Sequence, residues 1–478
     1  MDSRLPGQHA APMVPAKSPI DLAEVEQRAL ALEAEGRLEE AREAFDAALR
    51  ANPRSQSSAE GRARIALALH EDTVSTHCSR ALAFHDAHPD RQLRMILTAA
   101  PELGADVFPL LESFLERNSE HATGHESLSE LRAEWGAGEA FVDNFIAALD
   151  DHPGNRQLLF SYWNTLTRAR HLDAALDSMD AHRSLFEGDR DFVLLEVNIA
   201  NYAGLKERAA QLIDQLDDRP DALLARGQHR LQSGRPDEAA KDIEAVVKAE
   251  PDNLTAWALL EVAWRILNDP RHDWLINQPG LYGTRQLELS SQQLDDVASA
   301  LRLLHRTRSQ PIGQSLRGGT QTAGQLFLRN DPAIDLLTGA LATAIRDFVA
   351  ELPAEDPSHP LLRHRNMGMA FGPSWSVRFT GSGHHAAHFH PNGVLSSACY
   401  LAVPDELADD NGRPGWLEIG RPPPELGLDL LPLATIEPRK GLLVLFPSFM
   451  FHGTRPFLGG ERLSVAFDLV PVPMDWQG

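Results

Sequence analysis

The sequence predicts an α + β multidomain protein, with an N-terminal α-solenoid of helix pairs followed by a C-terminal β domain. Its 478 residues are too many for a single domain with one hydrophobic core, because domains typically contain roughly 150 residues. Residues 21–270 are rich in Ala, Leu, Glu and Arg, with apolar residues at helical spacing. Residues 371–478 instead carry short β-rich runs separated by Gly and Pro. We expect residues 1–20 to form a flexible tail and residues 271–370 a helical connector that flanks the β domain.

A sequence repeat supports the solenoid. Small and apolar residues recur at the same offsets in two places, first as Gly36, Ala41, Phe45, Ala48 and Pro53, and again as Gly234, Ala239, Ile243, Val246 and Pro251. Small residues let two antiparallel helices approach closely, the large apolar residue fills the groove, and the proline ends the second helix. The pattern resembles the tetratricopeptide repeat, a helix pair of about 34 residues. Stacked pairs form a concave surface, which is either a binding surface for a peptide or protein partner or a spacer.

The connector contains two amphipathic patterns and a loop. Residues 290–304 and 332–352 are predicted helices, because their apolar residues recur at helical spacing. The run 310–322 between them is polar and contains a Gly-Gly pair. No Gly-Lys-Ser/Thr follows this pair, so the run lacks the phosphate-loop pattern. We interpret it as a loop that packs beside the β domain.

Charge and cysteine content narrow the class of protein. The net charge is −23, from 68 acidic and 45 basic residues, which argues against a nucleic-acid or anionic-membrane surface because both need clustered Lys and Arg. No apolar stretch reaches the roughly 18 residues of a membrane span. The first 20 residues contain four prolines and no apolar run, unlike a signal peptide. The two cysteines, Cys78 and Cys399, suit a reducing compartment, and we expect a cytoplasmic protein.

Histidines are concentrated in one short segment of the β domain. Four of the 20 histidines fall within residues 384–390. On an extended strand residues i and i+2 share a face, so His388 and His390 point the same way and can bind one metal ion. A lone histidine is more often a satisfied core or loop residue, but the adjacent pair favours a metal site. His384 and His385 are alternative ligands, with a supporting or substrate contact preferred for His385.

A third histidine and an arginine follow further along the β domain. His452 comes after the buried strand 441–446 and a Pro-Ser break, so it can return beside the first pair as a third ligand. Arg462 and Ser464 follow on one face of the predicted last strand. A guanidinium beside a hydroxyl is a good pocket for a carboxylate, which the guanidinium can bind bidentately.

Together these residues resemble the 2-oxoglutarate- and Fe(II)-dependent oxygenases, whose pattern is a His-x-Asp/Glu motif, a distal His, and an Arg and a Ser on the last strand. The chain is most similar to a bacterial group of such oxygenases that is often fused to tetratricopeptide repeats. The resemblance spans roughly residues 300–471 and is carried by the blocks 314–322, 375–378, 388–393, 396–401, 445–448, 452–454 and 461–468. It implies a double-stranded β-helix, or jelly roll, in residues 371–478.

The resemblance also implies the metal ligands. His388 is the first ligand, His452 is the distal ligand, and His390 stands where the family usually has a carboxylate. We predict these three histidines as the iron site. Two alternatives stay open at this point, because either three neutral histidines hold the iron or a carboxylate from elsewhere completes the set.

The co-substrate and the reaction follow from the same resemblance. Arg462, helped by Ser464, would bind the distal carboxylate of 2-oxoglutarate, and Tyr400 and Arg378 lie in matched blocks and are further candidates for co-substrate binding. The predicted reaction is hydroxylation of a peptide, protein or small-molecule substrate, with O₂ and 2-oxoglutarate consumed and succinate and CO₂ released. A peptide or protein substrate is preferred because the solenoid could present one.

Two other functions are weighed against this prediction. The first is a cupin-like metalloenzyme that uses no 2-oxoglutarate, and the Arg462/Ser464 pair argues against it. The second is a tetratricopeptide scaffold without activity, and the presence of all three histidines with the arginine argues against that.

Overall fold

The computed structural model describes residues 22–69, 71, 73–84, 88–404 and 412–473. The predicted tail, residues 1–20, lies outside the described residues. The chain divides into two compact units, Met1–Arg117 and Asn118–Gly478. The domain boundaries predicted from the sequence, after residues 20, 270 and 370, stay predictions. The two compact units divide the chain at a different point, after Arg117.

The first unit is built from helices, and its described helices are α1 (Leu22–Ala34), α2 (Leu38–Ala51), α3 (Gln56–Ala68), α4 (Val74–Leu82), α5 (Pro89–Leu103) and α6 (Val107–Arg117). The first copy of the repeat lies on α2, where Ala41, Phe45 and Ala48 are fully buried. A Cβ atom at Gly61 of α3 would lie 2.3 Å from the Phe45 ring. The absence of that side chain therefore permits the close helix approach that the repeat predicts.

The second unit begins with further helices, namely α7 (Ala122–Glu134), α8 (Asp143–Asp151), α9 (Arg156–Arg168), α10 (Leu172–His182), α11 (Arg190–Ala203), α12 (Lys206–Ile213), α13 (Pro220–Gln232), α14 (Pro236–Ala249), α15 (Leu254–Leu267) and α16 (Arg271–Ile276). The second copy of the repeat lies on α14, where Ala239, Ile243 and Val246 are fully buried. A Cβ atom at Gly227 of α13 would lie 2.7 Å from Ile243 Cγ1, so a glycine again allows two helices to pack closely.

Two connector helices cover one face of the β region. They are α17 (Ser291–Leu304) and α18 (Pro332–Ala350), close to the predicted ranges. A capping box at Ser290 begins α17, and Asp331 caps α18. Their apolar faces share a core with Leu443, Val465 and Phe467 of the sheet, so the connector is part of the β region's packing.

The β region contains the strands β1 (Gly283–Gln286), β2 (Leu316–Arg317), β3 (Thr320–Gln321), β4 (Gly368–Phe379), β5 (His384–His385), β6 (Leu395–Ala402), β7 (Leu417–Ile419), β8 (Ala434–Ile436), β9 (Leu442–Pro447), β10 (His452–Thr454) and β11 (Arg462–Val472). They form a six-stranded sheet in the order β1-β9-β6-β11-β4-β3, a three-stranded sheet β10-β7-β8 and the pair β2-β5. Every strand pairing is antiparallel.

The two larger sheets pack against each other on the side away from α17 and α18. Tyr400 and Phe446 of the six-stranded sheet share a core with Leu417 and Ile419 of the three-stranded sheet. The predicted fold class, a helical part with repeats and then an antiparallel β region, is confirmed. The closed jelly-roll form of that region stays a prediction.

The helices of the second unit pack directly on the β region. Trp257 and Trp264 of α15 share a core with Phe446 and Phe449. Arg265 of α15 donates a hydrogen bond of 2.7 Å to the backbone carbonyl of Gly420. The helices therefore support the β region from outside, and none of the described helices is both long and apolar enough to cross a membrane.

Candidate metal centre

Backbone pairing brings the predicted histidines together. The His388 N–H donates to the His452 carbonyl at 2.9 Å, and the His452 N–H donates to the His388 carbonyl at 2.7 Å. The His390 N–H donates to the carbonyl of Ser448 at 2.9 Å. The segment 388–390 therefore runs antiparallel to the turn between β9 and β10, which places all three imidazoles on one side.

The three imidazoles are oriented through their Nδ1 atoms. His388 Nδ1 lies 2.9 Å from the carbonyl of Ala386, and His452 Nδ1 lies 3.0 Å from the carbonyl of Met450. His390 Nδ1 lies 2.5 Å from a carboxylate oxygen of Asp468. Because these oxygens only accept, the Nδ1 of each neutral ring carries the proton, and its Nε2 is the atom left to bind a metal ion.

The free nitrogens converge on a common point. The potential ligand atoms of His388, His390 and His452 all lie within 4.8 Å of one another, and the Nε2 atoms of His388 and His390 are 3.1 Å apart. Among the described residues this is the one group of three or more such side chains that could hold a metal ion. Imidazole nitrogens suit iron, zinc, copper and nickel, so the donor set fits Fe(II).

Burial keeps two of these histidines, His388 and His452, neutral. It lowers the pKa of His388 to about 3, with the neighbouring His390 adding to the shift. Burial also holds the pKa of His452 well below its ordinary value, and the neighbouring His388 and His390 lower it further. Both imidazoles are therefore uncharged near pH 7, as metal binding requires.

Asp468 is the functional candidate that the sequence reasoning missed. Its Oδ1 accepts hydrogen bonds from His390 Nδ1 and from Ser396 Oγ, the latter at 2.6 Å. Ser396 Oγ also lies 2.9 Å from Ser448 Oγ. A carboxylate behind a ligand histidine fixes the ring and raises its basicity. The polar residues of β11 at alternate positions were a signal for it, since Asp468 shares a face with Arg462 and Ser464.

Arg462 and Tyr400 form a second polar group on the same side of the six-stranded sheet. Ser464 pairs in register with Tyr400, and the intervening residues of β11, Leu463 and Val465, face the opposite way into the core beneath α17 and α18. The Arg462 guanidinium carbon lies 5.1 Å from the centre of the Tyr400 ring. The predicted carboxylate-binding pair, Arg462 and Ser464, therefore has a third neighbour in Tyr400.

This second group contains unmet hydrogen-bonding capacity. Arg462 is 2% exposed and donates from Nη1 to the carbonyl of Gly415 at 2.9 Å. Within the described ranges, its Nε and the Tyr400 hydroxyl have no hydrogen-bond partner of good geometry, and Arg462 forms no ion pair. Burial lowers the pKa of Arg462 and raises that of Tyr400. A buried cation without a counter-charge is costly, so the site fits the carboxylate of a bound ligand such as 2-oxoglutarate.

Arg378, the remaining residue predicted to bind the co-substrate, lies apart from both groups. Trp375 and Phe379 of β4 face the histidines, since the Trp375 ring lies 5.6 Å from that of His390 and the Phe379 ring 5.5 Å from that of His385. Arg378 alternates with them and instead forms an ion pair of 2.8 Å with Glu461. The structure thus places Arg378 on the other face of the sheet, away from the predicted co-substrate pocket.

His384 and His385 do not join the ligand group. The His385 ring stacks near His388 with 6.2 Å between centroids, and its Nδ1 lies 3.1 Å from Ser315 Oγ. His384 pairs in register with Arg317 of β2. His385 therefore lies next to the ring of His388, and its predicted supporting or substrate-contacting role stays a prediction.

The fold and site together define an antiparallel β region with three converging histidines that could hold a metal ion and a buried arginine beside them. Comparison with family models agrees with this class. Residues 373–468 match the family described as "Putative 2OG-Fe(II) oxygenase", and residues 27–83 and 224–269 match the tetratricopeptide repeat. These matches confirm the resemblance seen in the sequence, to 2-oxoglutarate- and Fe(II)-dependent oxygenases in the β region and to tetratricopeptide repeats in the helical region.

Three solved structures are similar to parts of the chain. A Pseudomonas putida prolyl-4-hydroxylase is 16% identical over 44% of this chain and 98% of its own, with a TM-score of 0.29. HygX from Streptomyces hygroscopicus, solved with nickel and 2-oxoglutarate, is 13% identical over 40% of this chain and 83% of its own, with a TM-score of 0.27. A tetratricopeptide repeat protein from Parabacteroides merdae is 15% identical over 51% of this chain and 98% of its own, with a TM-score of 0.30. Comparison with curated proteins gives no match.

Proposed function

We propose that the oxygenase domain is an Fe(II)- and 2-oxoglutarate-dependent hydroxylase that acts on a peptide or protein. The observation that carries this proposal is the pairing of two sites on one side of the six-stranded sheet. One is the set of converging Nε2 atoms of His388, His390 and His452. The other is the buried Arg462, which has no carboxylate partner in the described part of the chain. A metal centre alone would not need the second site.

The histidines would hold the metal and leave positions on it open. His388, His390 and His452 offer one nitrogen each, fewer than the ion accepts, so a bidentate co-substrate and O₂ can reach it. When bound, Fe(II) and 2-oxoglutarate supply the oxidising chemistry, in which 2-oxoglutarate becomes succinate and CO₂. Asp468 keeps the proton of His390 on Nδ1, so Nε2 stays available to the metal.

Arg462, Ser464 and Tyr400 would hold the far carboxylate of 2-oxoglutarate. The unpartnered Arg462 Nε and Tyr400 hydroxyl are both donors that a carboxylate can accept from. A guanidinium bridges a carboxylate in a fixed plane, so it would orient the co-substrate as well as bind it.

Apolar side chains would keep water from the reacting atoms. The Phe446 ring lies 4.5 Å from the His452 ring. It lines the side of the centre that is formed by β9. A dry site strengthens the interactions made inside it and limits side reactions.

A peptide or protein substrate is proposed because the repeats offer an extended surface of the kind that binds polypeptides. A small-molecule substrate is the alternative within the same chemistry. We also propose a cytoplasmic location, which agrees with two free, buried cysteines, Cys78 and Cys399.

A cupin-like metalloenzyme without 2-oxoglutarate is the second candidate function. It is favoured by His390, which provides a third nitrogen where the common iron triad has a carboxylate. The two functions differ in whether Arg462 binds a co-substrate, and this difference can be measured.

Anaerobic titration with Fe(II) and then 2-oxoglutarate tests the proposal. We expect a visible charge-transfer band in the wild type when both are present, and succinate when O₂ is admitted. Arg462→Ala should weaken 2-oxoglutarate binding about 10- to 100-fold, since hydrogen bonds to charged groups contribute about 1.5–3 kcal/mol. Arg378→Ala is the matched control and should leave the band unchanged, because Arg378 lies on the other face of the sheet.

Two results of this titration would contradict the proposal. Folded, iron-loaded wild type that gives no band with 2-oxoglutarate would exclude the co-substrate and favour the cupin-like alternative. Failure to bind iron at all would favour a scaffold without activity.

A further inference from the structure

A large cavity lies between the helices and the β region of the second unit. Its volume is about 930 Å³, near the upper end of typical ligand sites. One wall comes from the segment between α7 and α8, with Phe141, and from the end of α9 and the turn after it, with Arg168 and Arg170. The other comes from the loop before β3, with Arg308 and Arg317. Parts of the chain that are distant in sequence therefore build it together.

The loop that forms the second wall is fixed to the helices. The N–H groups of Arg308 and Ser309 both donate to the carbonyl of Glu134 at 2.9 Å, and the Gly313 N–H donates to the carbonyl of Arg168 at 3.1 Å. Ile312 is buried in the helical core beside Trp163. The sequence predicted this run as a loop beside the β domain, and the structure shows that it also docks on the helices. The cavity walls are thus held in place before any ligand binds.

Two of the cavity's arginines have no carboxylate partner in the described residues. Arg168 pairs with Glu126 and Glu130, and Arg170 pairs with Glu425. Arg308 forms no ion pair there, and neither does Arg317.

Arg317 is the more constrained of the two unpaired arginines. Its Nη1 donates only to backbone carbonyls, those of Gln314 at 2.6 Å and Leu316 at 2.7 Å. Burial and the nearby charge of Arg170 lower the pKa of Arg317. Although the chain has a net charge of −23, these two unpaired cations in one cavity are available to an external anion.

The cavity lies beside the segment that leads to the candidate metal centre. Arg317 pairs with His384, and Leu316 pairs with His385, in the β2-β5 ladder. A Cβ atom at Gly318 would lie 2.8 Å from the carbonyl of Ser382, so the loop passes directly against the chain that leads to His388. A ligand anchored at Arg317 would therefore be held next to the segment that carries the metal ligands.

We propose that this cavity recruits an acidic segment of a polypeptide substrate, with Arg308 and Arg317 binding its Asp or Glu carboxylates. The proposal rests on the proposed function and deepens it by naming the substrate class. The volume exceeds the need of one small anion, and apolar residues such as Phe141 and Pro311 line it beside the arginines. A peptide that mixes carboxylates with apolar side chains matches both kinds of surface.

Fluorescence anisotropy with the full-length protein tests this site directly. The probe is a labelled ten-residue peptide that alternates Glu with Ala and Leu, and its reference is the same peptide with Gln for Glu. We expect the Glu peptide to bind and the Gln peptide to bind at least about tenfold more weakly, because charge-assisted hydrogen bonds are the stronger kind. Added salt should weaken only the former.

Variants distinguish peptide binding in the cavity from binding to positive charge elsewhere on the surface. Arg308→Gln with Arg317→Gln should weaken binding of the Glu peptide about tenfold or more, and Arg317→Lys should keep most of it because the charge remains. The control is Arg439→Gln with Lys440→Gln, which removes the same charge elsewhere and should leave binding unchanged. These two residues pair with Glu437 and Asp295 and do not line the cavity.

The outcomes distinguish this inference from the proposed function. Equal binding of the Glu peptide to wild type and to the double Gln variant would overturn the inference, as would inorganic phosphate binding as tightly as the peptide. The charge-transfer band with Fe(II) and 2-oxoglutarate, measured on the same samples, reports the proposed function separately. A normal band without peptide binding removes the recruitment site alone, whereas peptide binding without a band removes the oxygenase and keeps the site.

Discussion

His390 Nδ1 lies 2.5 Å from Asp468 Oδ1, across 78 residues of sequence. This contact bears on the question left by the His-Phe-His motif, in which a histidine stands where a carboxylate is usual. A carboxylate is present, and it stands behind His390 instead of among the converging nitrogens. A negative charge hydrogen-bonded to a ligand histidine increases electron donation to the metal, so His390 and Asp468 together can partly replace a carboxylate ligand.

The first prediction concerns Asp468. Asp468→Asn keeps the size of the side chain and removes its charge, so the ring of His390 loses its anionic partner. We expect Fe(II) affinity to fall about 10- to 100-fold, the usual effect of losing such a partner, with the fold retained. Competition with a coloured chelator under anaerobic conditions measures this affinity.

Asp295→Asn is the control for that measurement, because Asp295 pairs with Lys440 on the surface. It should bind iron as the wild type does. Unchanged affinity in Asp468→Asn would mean that the Asp468 charge has no influence on the metal.

The second prediction concerns His390 itself. His390→Ala removes one of three converging nitrogens, so the iron content of the purified, iron-loaded protein should fall well below that of the wild type. His384→Ala is the matched control, since His384 lies in the same segment outside the ligand group, and it should retain iron. If His390→Ala keeps full iron content, His388 and His452 must hold the metal with a different third ligand.

Local pattern in the sequence predicted the parts of the centre that depend on strand geometry. His388 and His390 share a face because they are two residues apart, and Arg462 and Ser464 share a face for the same reason. The fold class followed from the change in periodicity between the two halves. These features depend on neighbours in the chain, which a single sequence contains.

Features that depend on distant contacts were not predictable in this way. Alternation along β11 places Asp468 on the face of Arg462 and Ser464, but its role comes from a partner 78 residues away, which local spacing does not identify. Successive side chains of a strand point to opposite faces, so Arg378 lies on the face opposite to Trp375 and Phe379. The sequence does not tell which of the two faces of β4 turns toward the histidines. The docking of the loop before β3 on α7 and α9 likewise depends on tertiary packing alone.

The third prediction concerns pH and the buried His359. Its Nδ1 accepts hydrogen bonds from the N–H groups of Leu361 and Leu362, and its Nε2 lies 3.0 Å from the carbonyl of Leu275. Burial lowers the pKa of His359 from 6.5 to about 4. The unfolded chain therefore binds the extra proton first, and stability that is present above pH 6.5 is lost as the pH falls toward 4.

Urea unfolding of the metal-free protein at pH 7 and pH 4.5 measures this loss. His359 should contribute up to about 3 kcal/mol to the difference in unfolding free energy between the two pH values. This follows from the lowering of its pKa from 6.5 to about 4 in the folded protein. His359→Asn retains an acceptor for the two N–H groups and cannot titrate, so its unfolding free energy should depend less on pH. An equal dependence in wild type and variant would show that His359 is not among the groups responsible.

The fourth prediction concerns the boundary of the catalytic unit. Phe446, Phe449 and Met450 of the β region share a core with Trp257 and Trp264 of α15, so removal of the helices would expose a large apolar surface. A fragment of residues 118–478 should fold and bind iron like the whole chain, in line with the compact unit Asn118–Gly478. A fragment of residues 277–478 should be poorly folded or aggregated, because exposed apolar patches of that kind favour association.

Circular dichroism, gel filtration and iron content of the two fragments check this prediction. The Trp264→Ala variant of the longer fragment gives an intermediate test, because it should lose about 3–5 kcal/mol of packing while keeping every helix. If the 277–478 fragment is monomeric, folded and binds iron with the affinity of the whole chain, the helices next to the β region do not brace the metal centre. Their contribution would then have to be sought in substrate binding alone, at the cavity that they share with the loop before β3.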